Sequence, residues 1–400
     1  MRNYSVTIRK IRGVKGLLSS TALFDNEKIA ELAKEYNFDW HSRKIFFNPF
    51  FRALILFQID NSSSLRDWGS SINNSALYRF VGAHMDVSVP ALSMALAKKD
   101  PEIFIDILRD LMIEINYLSS IQKLGRDISK VFKEIQDLLT NTNIFDSTTW
   151  ELSSKLCKWA KYSNKQAGIR AHLKLNSGYG GVEKLIITSA KDNDTKYFED
   201  FLNLDQDSQQ IYLFDCGYKK LTTYDKITDS SNYFVTKLHG QILYDIIEVI
   251  SNKTKILANG FELHSDNRVR IGTGRNQAKN TYRIIIGKDS YGNDLKILTN
   301  MVDLSVEQIV LLYQYRWTIE IVFRWLKHSL KLKRFISNSA NGIVIQILIA
   351  LIVYCLLVLR NKKYKQLSVH KLLLELENIK EEIMFIAGVE FGILIGRGFK

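Results

Sequence analysis

Tyr313, Arg316, Glu320 and Lys327 are spaced so that one face of a helix would carry all four. Counted from Tyr313 at about 100° per residue, Arg316 falls near about 300°, Glu320 near about 340° and Lys327 near about 320°. Arg324 and Lys331 fall close by and widen the basic stripe. Leu312, Ile319, Phe323, Leu326 and Leu330 form an apolar flank beside it. Such a face suits phosphate chemistry. A guanidinium takes a phosphate bidentately, an ammonium acts as a point charge, and a phenol donates one hydrogen bond. The single carboxylate among these groups is the odd member. Asp303 and Ser305 offer N-cap oxygens ahead of the stretch, and Ser305 with Gln308 fits a capping box. The spacing therefore predicts one helix through 313–327. Trp317 and Trp325 could stack on an unpaired base or simply pack. A solvated amphipathic helix with ordinary i,i+4 Arg–Glu neighbours is the plain alternative.

The order Tyr, two residues, Arg, three residues, Glu, six residues, Lys resembles the Y-R-E-K signature of the insertion-sequence-4 family of DDE transposases. The resemblance implies that Glu320 is the last of three metal-binding acids. Two more are sought upstream, and Asp146 in Phe-Asp-Ser-Thr-Thr and Asp215 in Phe-Asp-Cys-Gly-Tyr stand in contexts similar to the family's own. Cys216 departs from the basic residue expected in many relatives, which puts one backbone contact in doubt. Carboxylate oxygens are the hard ligands Mg²⁺ prefers. Two ions per site, roughly 3.5–4 Å apart, would clamp the attacking and leaving oxygens of a phosphodiester, and Mn²⁺ should substitute. Tyr313, Arg316 and Lys327 would, by resemblance, grip phosphates around the cleaved end.

The family's activity, carried over as an expectation, is cut-and-paste transposition. The strand is hydrolysed at each element end and the freed 3′-hydroxyl attacks the target, with a hairpin intermediate compatible. The implied partners are double-stranded DNA, both terminal inverted repeats and target, and a second copy in a synaptic homodimer. Two other classes remain open at this point. One is a different RNase H-like nuclease. The other is a catalytically silent DNA-binding descendant of a transposase.

Composition agrees with a polyanionic partner. The 400 residues carry a formal net charge of +13, with 46% hydrophobic and 24% charged residues, as in globular chains. Cys157, Cys216 and Cys355 lie far apart without a CxxC pair, which suits a reducing cytosol. The seven histidines form no zinc motif. Met1–Lys15 is basic but lacks the apolar core of a signal peptide. The apolar run Gly342–Leu359 meets the lower length limit of about 18 residues for a membrane span. A core helix buried on all sides explains it more simply, so no membrane is expected. The expected location is the cytoplasm of a prokaryote, on the nucleoid when DNA is bound.

The expected fold class is α/β: an RNase H-like catalytic core, a mixed sheet with helices, with an inserted β-subdomain and an N-terminal helical domain. Residues 1–140 read as helices that bind DNA ends, with a helix-turn-helix near 64–80 and Arg66, Trp68 and Arg79 as candidate contacts. Residues 141–242 read as three strands, a helix at 195–204, a strand bearing Asp215, a helix and a strand. Asp146 and Asp215 are both expected at strand ends. Residues 243–300 exceed what the core needs and read as β-pieces separated by Gly-rich turns. Arg268, Arg270, Arg275, Lys279 and Arg283 make that stretch basic enough to lie against DNA. Residues 301–360 complete the core with the Glu-bearing helix and an apolar segment that should cover the sheet. Residues 361–400 form a helical tail.

Overall fold

A computed structural model of the chain describes residues 26–60, 62–121, 138–177, 181–204, 209–238, 242–257, 260–274, 276–328, 330, 332 and 334–363. The basic N-terminus at 1–15, residues 178–180, Arg275, Lys331 and residues 364–400 of the expected helical tail lie outside the described residues. The chain divides into two compact units. One comprises Met1–Gly125, Leu152–Ala167 and Val322–Lys400, and the other Arg126–Glu151 and Gly168–Ile321.

The first unit is helical. Helices α1 (Asn26–Glu35), α2 (Phe47–Ile59), α3 (Leu65–Asn74), α4 (Ala76–Phe80), α5 (Val89–Lys98) and α6 (Glu102–Ile121) follow in order. Serines start three of them. Ser64, Ser75 and Ser88 accept backbone N–H groups of α3, α4 and α5, and Pro90 sits in the first turn of α5. Phe47 stacks on Phe51 at 5.5 Å and both meet Phe104. Trp68, expected as a DNA contact, is fully buried and donates its indole N–H to the Ala53 carbonyl at 3.1 Å. It belongs to this core, because the apolar face of α3 points inward. Arg66 and Arg79 are exposed.

The apolar run forms α10 (Ala340–Lys363). It is long and apolar enough to cross a membrane, yet 94% of its most apolar window is buried inside the protein. Its main neighbours are α6, α2 and α5 rather than the sheet it was expected to cover. A helix apolar all round needs apolar surface on every side, and the aromatic-rich helices of this unit offer it.

The second unit is built on one sheet. Its strands are β1 (Thr142–Leu152), β2 (Ala167–Asn176), β3 (Val182–Ser189), β4 (Ile211–Phe214), β5 (Tyr233–Lys237), β6 (Tyr244–Ser251), β7 (Lys255–Ile256), β8 (Glu262–Thr273), β9 (Asn276–Gln277), β10 (Tyr282–Lys288) and β11 (Asp294–Thr299). The spatial order is β3-β2-β1-β4-β5-β11-β10-β8-β6, with β7 and β9 pairing on β8. β1, β4 and β5 run parallel. β4 is buried throughout, as a central parallel strand must be. Helix α7 (Leu221–Asp229) connects β4 to β5. This is the mixed sheet with helices expected for an RNase H-like core.

Two details differ from the sequence reading. The helix expected at 195–204 is a pair of short 3-10 turns, Asp194–Tyr197 and Glu199–Phe201. Phe198 and Phe201 are both fully buried against Phe145, a spacing of three that suits a 3-10 turn. The strands of 244–299 do not form a sheet of their own. β11 pairs with β5, antiparallel, and so continues the core sheet outward. At the bulge between Ile286 and Gly287, a side chain on Gly287 would meet the Glu262 carbonyl at 2.2 Å. At the far edge, Ile246, Ile247, Val249 and Ile250 of β6 are about half exposed.

Glu199 fastens the second 3-10 turn to α7 by accepting from Lys220 and Lys226 at 2.6 Å each and from Thr223 at 3.1 Å. These bonds, Lys220 first, pull its carboxyl down from 4.5 to about 2. A depressed folded value means stability present above about pH 4.5 and lost as pH falls toward 2. Both lysines are about half exposed, so screening limits the gain to about 1 kcal/mol or less. Glu199→Gln should therefore lower urea stability slightly at pH 7 and have no effect near pH 2.

Candidate active site

Asp146, Asp215, Tyr313, Arg316 and Glu320 all belong to the second unit. The parallel register pairs Ile144 of β1 with Leu213 of β4. Continuing it by two residues sets Asp146 beside Asp215, on the same face as the last pair. Asp215 directly follows the end of β4, as expected. Asp146 lies inside β1 rather than at its end, because β1 runs on to Leu152 after β4 has stopped.

The Glu-bearing stretch is two helices, not one: α8 (Val306–Tyr315) and α9 (Trp317–His328). The Ser305–Gln308 capping box opens α8 as anticipated, with reciprocal bonds of 3.2 and 2.9 Å. The break falls on Arg316. Its N–H bonds to the Tyr313 carbonyl three residues back, and its own carbonyl accepts from Ile319 three residues on. Each tightened step turns the chain further than an α-helical step, so the face count does not run straight through. Arg316 thereby comes to lie between two acids. Nη1 is 3.6 Å from Asp146 Oδ2, and Nη2 is 2.8 Å from Glu320 Oε1. Its guanidinium carbon sits 5.5 Å from the Tyr313 ring centroid.

Burial first, and then the Asp215 charge, push the Asp146 carboxyl up to about 7, while the Ser147 amide and Arg316 act the other way. Asp215 is also raised, mainly by burial, against the pull of the Gly217 amide and Arg316. Burial pulls Arg316 down, but Tyr313, Glu320 and Asp146 together hold it above its ordinary value. Among the described residues no three His, Cys, Asp or Glu side chains stand together as a finished metal-ligand set. The three acids are within electrostatic reach of one another, and Arg316 takes up the ground between two of them. Their chemistry fits a hard divalent cation: partly exposed carboxylate oxygens whose mutual repulsion such an ion would relieve.

The sequence reading missed a second layer around Asp146. The Ser147 amide donates to Asp146 Oδ1 at 2.7 Å, and the Ser147 hydroxyl donates to Asp194 at 2.7 Å. Asp194 also accepts from Arg170 at 3.0 Å and lies 3.4 Å from His172 Nδ1. His172 is fully buried, and burial lowers its pKa and keeps it neutral. The signal available was Arg170 and His172 at alternate positions of one strand, followed by the acid-rich turn at 192–194. Gly217 donates its N–H to Asp215 Oδ1 at 2.8 Å. A side chain there would meet that oxygen at 2.9 Å and Asp194 Oδ2 at 3.3 Å. Gly217→Ala should keep the fold but displace the Asp215 carboxylate. Activity is expected to fall about 10- to 100-fold with little change in melting temperature.

The other expected site residues are placed as follows. Tyr313 is buried beneath Arg316. Lys327 is half-buried on α9, and burial lowers its pKa. Arg324 is exposed and Trp317 is 51% exposed. Arg268 and Arg270 are exposed on β8, but acids of β6 stand across from them: Glu248 lies 3.9 Å from Arg268, and Asp245 pairs with Arg270. Arg283, counted in the basic run, is buried in a bidentate pair with Asp266 and faces no solvent partner.

A mixed sheet of this order, with β1, β4 and β5 parallel, is the arrangement of an RNase H-like fold. Residues 139–356 match the transposase DDE domain family, and the chain belongs to that family. Membership implies divalent metal ions, and the family acts on DNA. The chain is 25% identical over 264 residues to a probable transposase for insertion sequence element IS5377 of Geobacillus stearothermophilus, covering 66% of this chain and 65% of that one. It is 29% identical over 216 residues to the putative transposase y4zB of Sinorhizobium fredii, covering 54% and 59%. It is 25% identical over 279 residues to a putative transposase for insertion sequence element IS4SA of Synechocystis, covering 68% and 71%. The matched stretch thus spans just under two thirds of the first relative and less of the second. A solved piggyBac transposase synaptic complex with hairpin DNA aligns with a TM-score of 0.49 at 10% identity, over 93% of this chain and 80% of that one.

Proposed function

We propose that this chain is the DNA transposase of an insertion sequence, of the insertion-sequence-4 group, cutting strands at its element's ends and joining them to target DNA. The observation that carries this reading is Arg316 paired with Asp146 and Glu320, with Asp215 set beside Asp146 by the β1–β4 register, in a chain of the transposase DDE domain family. In the first step water attacks the scissile phosphorus and the bond to the 3′-oxygen breaks, leaving a 3′-hydroxyl and a 5′-phosphate. In the second that hydroxyl attacks a target phosphorus and the target's own 3′-oxygen leaves.

Asp146, Asp215 and Glu320 are the residues that would hold Mg²⁺, two ions per site. Bound there, the ions would supply Lewis-acid activation and neutralise charge on the phosphodiester. The Ser147 and Gly217 amides aim the two Asp carboxylates. The Tyr313 ring backs the guanidinium. Lys327 and Arg324 on α9, with Trp317, and Arg268 and Arg270 on β8, serve the DNA backbone. The helical N-terminal region, 1–140, binds the terminal inverted repeats. Two copies act in synapsis, in the cytoplasm, on nucleoid DNA.

The test is excision of a marked segment flanked by the element's own ends, with wild type and Glu320→Gln. Excision by wild type alone supports the reading. Excision by both puts the active site elsewhere. Tight end binding with no metal-dependent nicking by either would point to a silent descendant.

A further inference from the structure

The segment from Lys155 to Tyr162, between β1 and β2, repeats every three residues: Lys-Leu-Cys, Lys-Trp-Ala, Lys-Tyr. Much of its backbone bonding has the same step. The N–H groups of Leu156, Ala160 and Lys161 bond to the carbonyls of Ser153, Cys157 and Lys158, each three residues back, and Lys158–Ala160 is a 3-10 turn. At three residues per turn, side chains three apart stack in columns. One column, Cys157 and Ala160, is buried. The second, Lys155, Lys158 and Lys161, is exposed. The third is apolar and faces outward: Leu156 is 63% exposed, Trp159 is 46% exposed and Tyr162 is half-buried. No acid occurs from Leu152 to Ala167, and none pairs with these lysines among the described residues.

The Trp159 ring is held in place, by partners of its own unit. Its indole N–H donates to the Asn338 carbonyl at 2.8 Å. The chain just before Asn338 is fixed in turn by Gln346, the polar break in the apolar α10. Gln346 accepts from the Ile336 N–H at 3.1 Å and donates to the Arg334 carbonyl at 3.2 Å. The polar edge of the indole is thus satisfied, and its exposed face needs little further ordering to receive a planar group. A lone exposed aromatic needs no partner. A fixed tryptophan beside a row of unpaired lysines is the combination that takes up single strands, where cations track phosphates and rings take bases. An apolar protein partner would leave the cations idle, and duplex DNA, its bases stacked on one another, would leave the ring idle.

We propose that this loop is a binding site for single-stranded DNA: Lys155, Lys158 and Lys161 run along the phosphates and Trp159 stacks on a base. The choice of DNA rests on the transposase reading above, but none of these residues belongs to the cutting chemistry assigned there. The loop's task is to hold a strand left unpaired at an opened DNA end.

The experiment follows the anisotropy of a labelled oligothymidylate of about 12 nucleotides with the full chain, beside a random duplex of the same length. Trp159→Ala should weaken binding of the single strand about tenfold or more and leave the duplex within about twofold of wild type. Trp159→Phe keeps a ring and should lose about threefold or less. Changing Lys155, Lys158 and Lys161 together to Gln alters only exposed side chains. It should cut the slope of log affinity against log salt for the single strand by about 2. The inference is overturned if wild type does not bind the oligothymidylate, if Trp159→Ala binds it as wild type does or loses single strand and duplex alike, or if the salt slope stays the same. Excision by wild type together with any of these results sinks the loop site alone. Loop-dependent binding of the single strand without excision by wild type supports the site and counts against the transposase reading.

Discussion

Glu320→Gln is expected to lower excision by about 10²–10³-fold, the scale on which loss of one well-placed electrostatic group acts, with the fold retained. The substitution is nearly isosteric and removes only charge. Glu320 sits in the first turn of α9, where a carboxylate gains about 0.3–1 kcal/mol from the helix dipole. Its side chain is 32% exposed, so its pair with Arg316 is partly screened and adds little more. Stability should therefore change by about 1 kcal/mol, or a melting shift of about 2 °C. The chemistry has no such cushion. On the proposed reading, a divalent ion would lose a charged ligand without the third carboxylate, and the two remaining acids would keep their mutual repulsion. Excision and melting temperature measured on one preparation separate the effects. A large melting shift would mean that Glu320 is structural first.

Arg283→Met is expected to destabilise the protein by about 3–5 kcal/mol, the scale of breaking one side of a buried ion pair. Arg283 Nε and Nη2 donate to the two Asp266 oxygens at 2.9 and 2.7 Å, and Nη1 donates to the Leu304 carbonyl at 2.6 Å. The side chains are 7% and 3% exposed. Removing the guanidinium leaves a buried carboxylate on β8 and an orphaned carbonyl in the segment that leads into α8. The damage thus reaches the elements that carry Tyr313, Arg316 and Glu320. The double variant Arg283→Met with Asp266→Leu should recover more than half of the loss, because no lone charge stays buried. Urea midpoints of the single and double variants check this. Equal midpoints for wild type and Arg283→Met would mean the pair is idle.

What could be read in the sequence was local. The run Ile211–Phe214 is apolar without interruption and ends in Asp-Cys-Gly, so a buried strand delivering Asp215 follows from four residues and a turn. Ser305 and Gln308 announce their own bond. What could not be read depends on residues distant in the chain. The break at Arg316 makes sense only once Asp146, far upstream, stands beside it. Arg283 looks like one more surface cation until Asp266 is found 17 residues away on the next strand but one in chain order. Asp194 resembles any turn aspartate until Ser147, Arg170 and His172 converge on it. The joining of β11 to β5 pairs residues some 60 positions apart, with no local periodicity to announce it.

That joining bears on any effort to trim the protein to a minimal catalytic fragment. Deleting 244–299 would remove a lobe that looks dispensable on a linear map. It would also strip β5 of its outer neighbour and leave a row of bare N–H and C=O groups along a buried-type strand. The shortened chain would be adhesive, recruiting other copies through the raw margin of its own core. The lobe is better regarded as the core's selvedge, the woven border that keeps the fabric from unravelling. Any smaller enzyme would need a replacement strand, or charges planted along β5, before it could be handled at all.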